Sequence, residues 1–266
     1  MPTCPVCAGE WRPAFTATVL NRHSVQYVWC PACGMVQTEP PYWLDEAYRE
    51  TIPAADTGLV TRNIELSAKL AGILYFCFDR KGSYVDIAGG YGMLVRLMRD
   101  HGFDFYWQDP YCENVLARGF EEHEAAGAIV ALTAFEVLEH VHDPVAFVAE
   151  ALRQRRTDTL IFSTQVYAGD QPPGQDWWYY SFSTGQHVSF YQIRTLRAIA
   201  GKLGLKFYSA NGIHVFTSRT LNRSVFGLVS GGASCLVAPY VRRRLGPKTW
   251  DDHERAKGKS GASGTR

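Results

Sequence analysis

Between residues 59 and 80, apolar side chains recur at Ile64, Leu66, Leu70, Ile73, Leu74 and Phe78. That spacing predicts a helix, closed by Gly82. A short apolar run, Tyr84–Ala88, predicts a buried strand, and Gly89, Gly90 and Gly92 predict a turn. Met93–His101 then has a helical pattern stopped by Gly102, and Phe103–Gln108 is a second strand ending at Asp109. Residues 128–153 give a further apolar strand, a short loop and a helix with Asp143 as N-cap and Pro144 at its first position. A strand at Thr159–Gln165, a helix at 192–203 and strands at Lys206–Ala210 and His214–Arg219 follow. Strands alternating with helices predict an α/β fold with a doubly wound sheet.

The first 38 residues differ. CPVC at 4–7 and CPAC at 30–33 place Cys4, Cys7, Cys30 and Cys33 in two C-x-x-C knuckles separated by 22 residues. Four thiolates from two tight turns suit a closed tetrahedral zinc site, structural because no ligand position stays open. Phe15–Trp29 is rich in β-formers and predicts a hairpin, completing a small zinc ribbon. Paired redox motifs are the competing account. They are disfavoured because such motifs occur singly at a helix start. The expected layout is a ribbon (1–38), a connection (39–58), a main domain (59–222), an apolar and basic extension (223–246) and a disordered polar tail (247–266).

The net charge is +1, but residues 241–266 carry +5, leaving the rest at −4, which weighs against a broad nucleic-acid groove. The N-terminus lacks the charge and apolar core of a signal peptide, and no apolar run is long enough to span a bilayer. Phe226–Val241 comes nearest and is expected to pack against the protein, with Arg242–Arg244 solvated. The cytoplasm is the expected location.

The glycine turn reads D-I-A-G-G-Y-G, with Asp86 just before it. An acid there would repel a pyrophosphate. It suits a ligand carrying an ammonium and a sulfonium, which is S-adenosylmethionine. The segment resembles the first motif of the class I methyltransferases, D-x-G-x-G-x-G, with Asp86, Gly90 and Gly92 matching and Ala88 standing where glycine is usual. F-E-V-L-E-H-V at 135–141 is similar to the fourth-strand motif of the ubiquinone-type methyltransferases. D-P-Y-C-E-N-V-L-A-R-G-F-E at 109–121 looks like the bacterial methyltransferases that often carry an N-terminal zinc ribbon. The resemblance covers roughly residues 80–220. It implies a Rossmann-like sheet whose last strand is antiparallel. It also implies cofactor contacts from Asp86, Ala88, Gly90, Gly92 and Phe135, with Asp109 accepting both ribose hydroxyls. Only 18 residues separate Asp109 from Ala128, too few for a comfortable helix and third strand, so no acid is assigned to the adenine.

Glu136, Glu139 and His140 have the i, i+3, i+4 spacing that shares one face of a helical turn. With His187 they are the candidate catalytic residues, and two carboxylates beside imidazoles suit Mg2+ or another divalent cation. The related motif of the ubiquinone-type and small-RNA 2′-O-methyltransferases implies the same. Metal-free acid–base work by His140, and helix capping by His187, are the plainer roles. The insert 167–190 holds Trp177, Trp178, Tyr179 and Tyr180 in a row and is expected to form a lid over the acceptor rather than to cover the sheet edge. The expected activity is methyl transfer to oxygen of a small, sugar-like acceptor. An RNA methyltransferase gripping its substrate through the ribbon, and a non-catalytic binding module on the same scaffold, are the alternatives.

Overall fold

The computed structural model describes residues 3–49 and 56–262. Residues 50–55 of the expected connection and 263–266 of the expected tail lie outside the described residues. In chain order the strands are β1 (Arg12–Val19), β2 (His23–Trp29), β3 (Val36–Thr38), β4 (Ser83–Ile87), β5 (Asp104–Gln108), β6 (Ile129–Phe135), β7 (Thr159–Ser163), β8 (Ser189–Phe190), β9 (Lys206–Ala210) and β10 (Ile213–Thr217). The helices are α1 (Leu44–Ala47), α2 (Leu59–Cys77), α3 (Met93–Asp100), α4 (Pro144–Arg155), α5 (Ile193–Lys202), α6 (Arg223–Ser230), α7 (Ser234–Leu245) and α8 (Thr249–Ala262).

The larger sheet has the order β5-β4-β6-β7-β10-β9. β4 runs parallel to β5 and β6, and β10 runs antiparallel to β7 and β9. This is the expected Rossmann-like sheet with an antiparallel closing strand. It ends at β5. Residues 110–127 form a loop with one short turn at Glu122–Glu124, tied to β5 by a single bridge between Trp107 and Glu121. The segment is too short for the helix and strand that would extend the sheet further.

The chain divides into two compact units. One comprises Met1–Ala55 and Ala134–Thr220, the other Asp56–Thr133 and Leu221–Arg266. In the first, β1 and β2 form the predicted hairpin, and the small sheet continues as β1-β2-β3-β8. Its last strand comes from the far end of the insert, with Val36 opposite Phe190. The ribbon sheet therefore includes a strand from outside residues 1–38. Val19, Val25, Tyr27 and Trp29, facing inward by strand alternation, pack with Trp43, Tyr179, Tyr180 and Phe190 in one buried cluster. Tyr180 lies edge-on to Phe190 at 4.8 Å and stacks on Phe182 at 5.4 Å. Tyr179 and Tyr180 are thus core residues of the ribbon sheet, which overturns the expected lid. Trp178 alone of the four rings is well exposed, at 74 %. On α4, the Ala146 N–H donates to the Asp143 carboxylate at 3.0 Å, the cap the sequence predicts.

In the second unit α2 stops at Cys77, short of Gly82, because Phe78 already turns extended. α6 and α7 lie along α2. The expected disorder of the tail is corrected over residues 249–262, which form α8. Its anchor is Asp252, with further bonds from Thr249 to Asp100 and from Arg255 to Glu124. Asp252 receives a two-pronged bond from Arg99 on α3, Nε to Oδ2 at 2.8 Å and Nη2 to Oδ1 at 2.7 Å, and a third from Arg96 at 2.8 Å. Arg99 is 3 % exposed and lies 3.8 Å from the Phe120 ring centroid.

Candidate active site

Every residue of β4 is buried, and the strand delivers Asp86 to the start of the glycine turn at 4 % exposure. The turn then takes left-handed backbone at alternate positions: Ala88 (φ 61°), Gly90 (φ 53°) and Gly92 (φ 84°). Ala88 pays the Cβ cost at a position where glycine pays none. Ala88→Gly removes that strain but loosens the unfolded chain, so a net gain of about 0.5 kcal/mol is expected, whereas Ala88→Val should cost about 1–2 kcal/mol. Thermal melts of the two variants should shift in opposite directions. Gly89, which the motif leaves unspecified, is also required, since a Cβ there would stand 2.8 Å from Trp107 Cδ1.

Asp109 does more than the resemblance implies. Its Oδ2 accepts the Gly90 N–H at 2.9 Å, while Oδ1 accepts those of Tyr111 and Cys112 at 2.7 and 3.0 Å. Trp107 closes the other side by donating its Nε1–H to the Gly90 carbonyl at 2.8 Å. The acid therefore shapes the turn, and Oδ2 retains a lone pair for a ligand hydroxyl. Glu121 is occupied in holding its own loop through Asn114 Nδ2 and the Gly119 N–H.

Asp86 accepts the Thr133 hydroxyl at 2.5 Å. Burial, with the Asp109 charge adding to it, pushes its carboxyl up to about 7 despite that hydrogen bond. A buried carboxylate with no cationic partner among the described contacts, beside exposed turn backbone, fits a donor bearing ammonium and sulfonium charges. Phe135 ends β6 half-buried.

The second cluster belongs to the other unit. After β6 the chain passes through left-handed Glu136 (φ 53°) into a single tight turn, Leu138–His140. Glu136 lies outside the group formed beyond that break, though close enough for its charge to act on Glu139. The Glu136 N–H donates to Ser163 Oγ at 3.1 Å, and the Ser163 hydroxyl donates back to its carboxylate. Glu139, His140 and His187 instead converge, one donor atom from each lying within 4.8 Å of the others. The rings of His140 and His187 stand perpendicular at 4.8 Å. His187 thus joins the cluster and does not cap α5, whose capping box is Gln192 with Thr195.

Each member is held by a second bond. Tyr179 donates its hydroxyl to Glu139 Oε1 at 2.7 Å, and its carbonyl accepts His187 Nδ1–H at 2.7 Å. That leaves Nε2 as the lone-pair nitrogen of His187. The His140 ring bonds the Gln186 backbone. Glu139 Oε2 and His140 Nδ1 are buried with no hydrogen-bond partner among the described residues. Burial, with Glu136 nearby, pushes Glu139 up to about 8; burial and His187 push His140 down to about 3. The imidazoles are therefore neutral, the form that ligates metal or accepts a proton. Tyr179 is the residue sequence reasoning missed.

In the ribbon, Cys4 Sγ lies 3.6 Å from Cys33 Sγ, and Cys7 Sγ 3.4 Å from Cys30 Sγ. All four lie within 4.8 Å of one another. Tetrahedral zinc with bonds of ~2.3 Å sets such separations near 3.8 Å, so the four thiols fit the ion.

Residues 61–210 match the methyltransferase domain family. The chain belongs to that family, and its sheet order is the Rossmann-like one that the resemblance to class I methyltransferases implies. No curated protein matches. Among solved structures it is similar to TnmH, with 16 % identity over 67 % of this chain and 62 % of that one and a TM-score of 0.48. It is also similar to an O-methyltransferase family protein from Burkholderia thailandensis, with 13 % identity, 59 % and 55 % coverage and a TM-score of 0.45. The small RNA methyltransferase HEN1 has 14 % identity, 60 % and 26 % coverage and a TM-score of 0.41. The chain thus spans about three fifths or less of the length of these proteins. No single helix among the described residues is long and apolar enough to cross a membrane.

Proposed function

We propose that the protein methylates a hydroxyl oxygen of a small acceptor, with Asp86, the 88–92 turn and Asp109 holding S-adenosylmethionine and Glu139, His140 and His187 serving the acceptor. The observation that carries this is the triad of neutral or near-neutral donors, two of whose buried atoms have no partner among the described residues. Bound S-adenosylmethionine supplies an electrophilic methyl on a cationic sulfur, whose departure needs no acid. What the chain must supply is a nucleophile freed of its proton and held in line. The neutral His187, whose Nδ1–H the Tyr179 carbonyl accepts, would take that proton. Asp86 supplies the negative charge that selects a cationic donor.

The same three donors fit a divalent cation, which would lower the hydroxyl's pKa. Two imidazoles and one carboxylate suit zinc, manganese or iron better than Mg2+, which prefers oxygen ligands and water. Cys4, Cys7, Cys30 and Cys33 are proposed to hold a separate structural zinc.

Methyl-labelled S-adenosylmethionine incubated with the protein and fractionated cell extract should label the small-metabolite fraction. Label confined to RNA would replace the small acceptor, and absence of binding heat with the cofactor would make the chain a scaffold. Metal analysis separates the two metal sites. Cys30→Ser should lose the ribbon zinc and melt lower, while His187→Ala should keep it and lose only the ion that mild chelation removes from the wild type. An unchanged metal content in both variants would dismiss both assignments.

A further inference from the structure

From Trp177 to Trp250 the chain carries ten Lys and Arg and not one Asp or Glu. Within this stretch, α6 and α7 meet at 96° across residues 231–233. Their inner side is spent on α2: Phe226, Val229, Ala238 and Val241 are buried, and α2 admits them at Gly72, where a Cβ would stand 3.0 Å from Val229 and 3.1 Å from Val237. Their outer side is apolar as well. Leu228 and Leu236, flanking the elbow, are 63 % and 77 % exposed, and Tyr240 one turn on is 46 % exposed. Arg243 and Arg244 follow Leu236 and Tyr240 at helical spacing, and Arg244 Nε reaches the Tyr240 hydroxyl at 3.3 Å. Arg223 and Arg242 are exposed too.

We propose that this elbow docks on a membrane surface rich in anionic lipid, with Leu228 and Leu236 entering the acyl boundary and the arginines meeting the headgroup phosphates. Two exposed leucines at a helix elbow, backed by four arginines with no acid nearby in the sequence, match an interfacial anchor. The inner residues remain on α2, so the pair lies in the interface and does not span it. Nucleic acid would use the arginines but leaves the leucines without a role.

The test is co-sedimentation of the full chain with vesicles of equimolar phosphatidylcholine and phosphatidylglycerol, and with phosphatidylcholine alone. Binding to the mixed vesicles should be at least about tenfold tighter. Leu228→Ser/Leu236→Ser should cut the bound fraction about tenfold with an unchanged melting temperature. Arg243→Gln/Arg244→Gln should remove most of the preference for the anionic lipid. No binding to either vesicle, or equal binding by the leucine variant, overturns the proposal. So does a dimer in solution that the leucine variant dissociates, because a second copy would then own the face.

Discussion

Asp86→Asn should weaken S-adenosylmethionine binding about 100-fold and, at pH 8, make the protein harder to unfold. Both effects come from one buried charge. Asparagine keeps an oxygen for the Thr133 hydroxyl, so the hydrogen bond at this position survives. What disappears is the negative charge, and about 3 kcal/mol of paired attraction for a cationic ligand goes with it. The stability effect has the opposite sign. In the unfolded chain an aspartate titrates near ~3.9. In the fold, burial raises Asp86 to about 7. Folding stability from this group is complete below the lower value and is lost as pH rises through the upper one. At pH 8 the ligand-free wild type carries that penalty and the variant does not, a difference of about 4 kcal/mol that shrinks toward pH 4. Binding by the wild type should therefore release protons at pH 6 and weaken further as the solution becomes more acidic. Calorimetry in two buffers of different ionisation heat, with melts at pH 5 and 8, reads all three effects. Undiminished affinity in the variant would remove Asp86 from the cofactor site.

Asp252→Ala should cost about 3–5 kcal/mol, large for a residue so near the end of the chain. Burial of Asp252 opposes its ionisation, yet the Arg99 and Arg96 guanidiniums overcome this and hold the carboxyl below its usual range. Its contribution is present above the unfolded pKa and is lost as pH falls through the depressed folded value, on the acid side of about 4. Arg99 cannot neutralise itself, and without Asp252 it keeps only Asp104 and the Phe105 carbonyl as partners. Urea unfolding at pH 7 gives the cost, and hydrogen exchange over residues 249–257 shows whether α8 detaches first. A loss under about 1 kcal/mol would mean that the pair gains no more than an exposed surface bridge does.

What sequence showed and what it hid divides by separation along the chain. The C-x-x-C knuckles, the hairpin between them, the glycine turn and the Asp143 cap are all set by residues within a few positions of each other, so spacing alone reveals them. The Tyr179 bond to Glu139 joins residues 40 apart, and the Arg99 bond to Asp252 joins residues 153 apart. No periodicity encodes either. The tail looks disordered because its composition is polar, and its helix is seated by residues far upstream, Arg96 and Arg99 on Asp252, Asp100 on Thr249 and Glu124 on Arg255. Glu136 stands outside the triad for a different reason. Equal spacing puts it beside Glu139 only if the backbone between them is continuously helical, and a left-handed residue breaks that continuity.

During synthesis, the N-terminal hairpin leaves the ribosome long before its last strand. Tyr27 and Trp29 must await Phe190, some 160 residues behind, and at ~5–20 residues per second that delay is roughly 8–30 s. For that interval the nascent chain presents an uncovered aromatic sheet. Ribosome-associated chaperones should engage it between the emergence of residue 30 and that of residue 190, and early metal capture by the knuckles would shorten their hold.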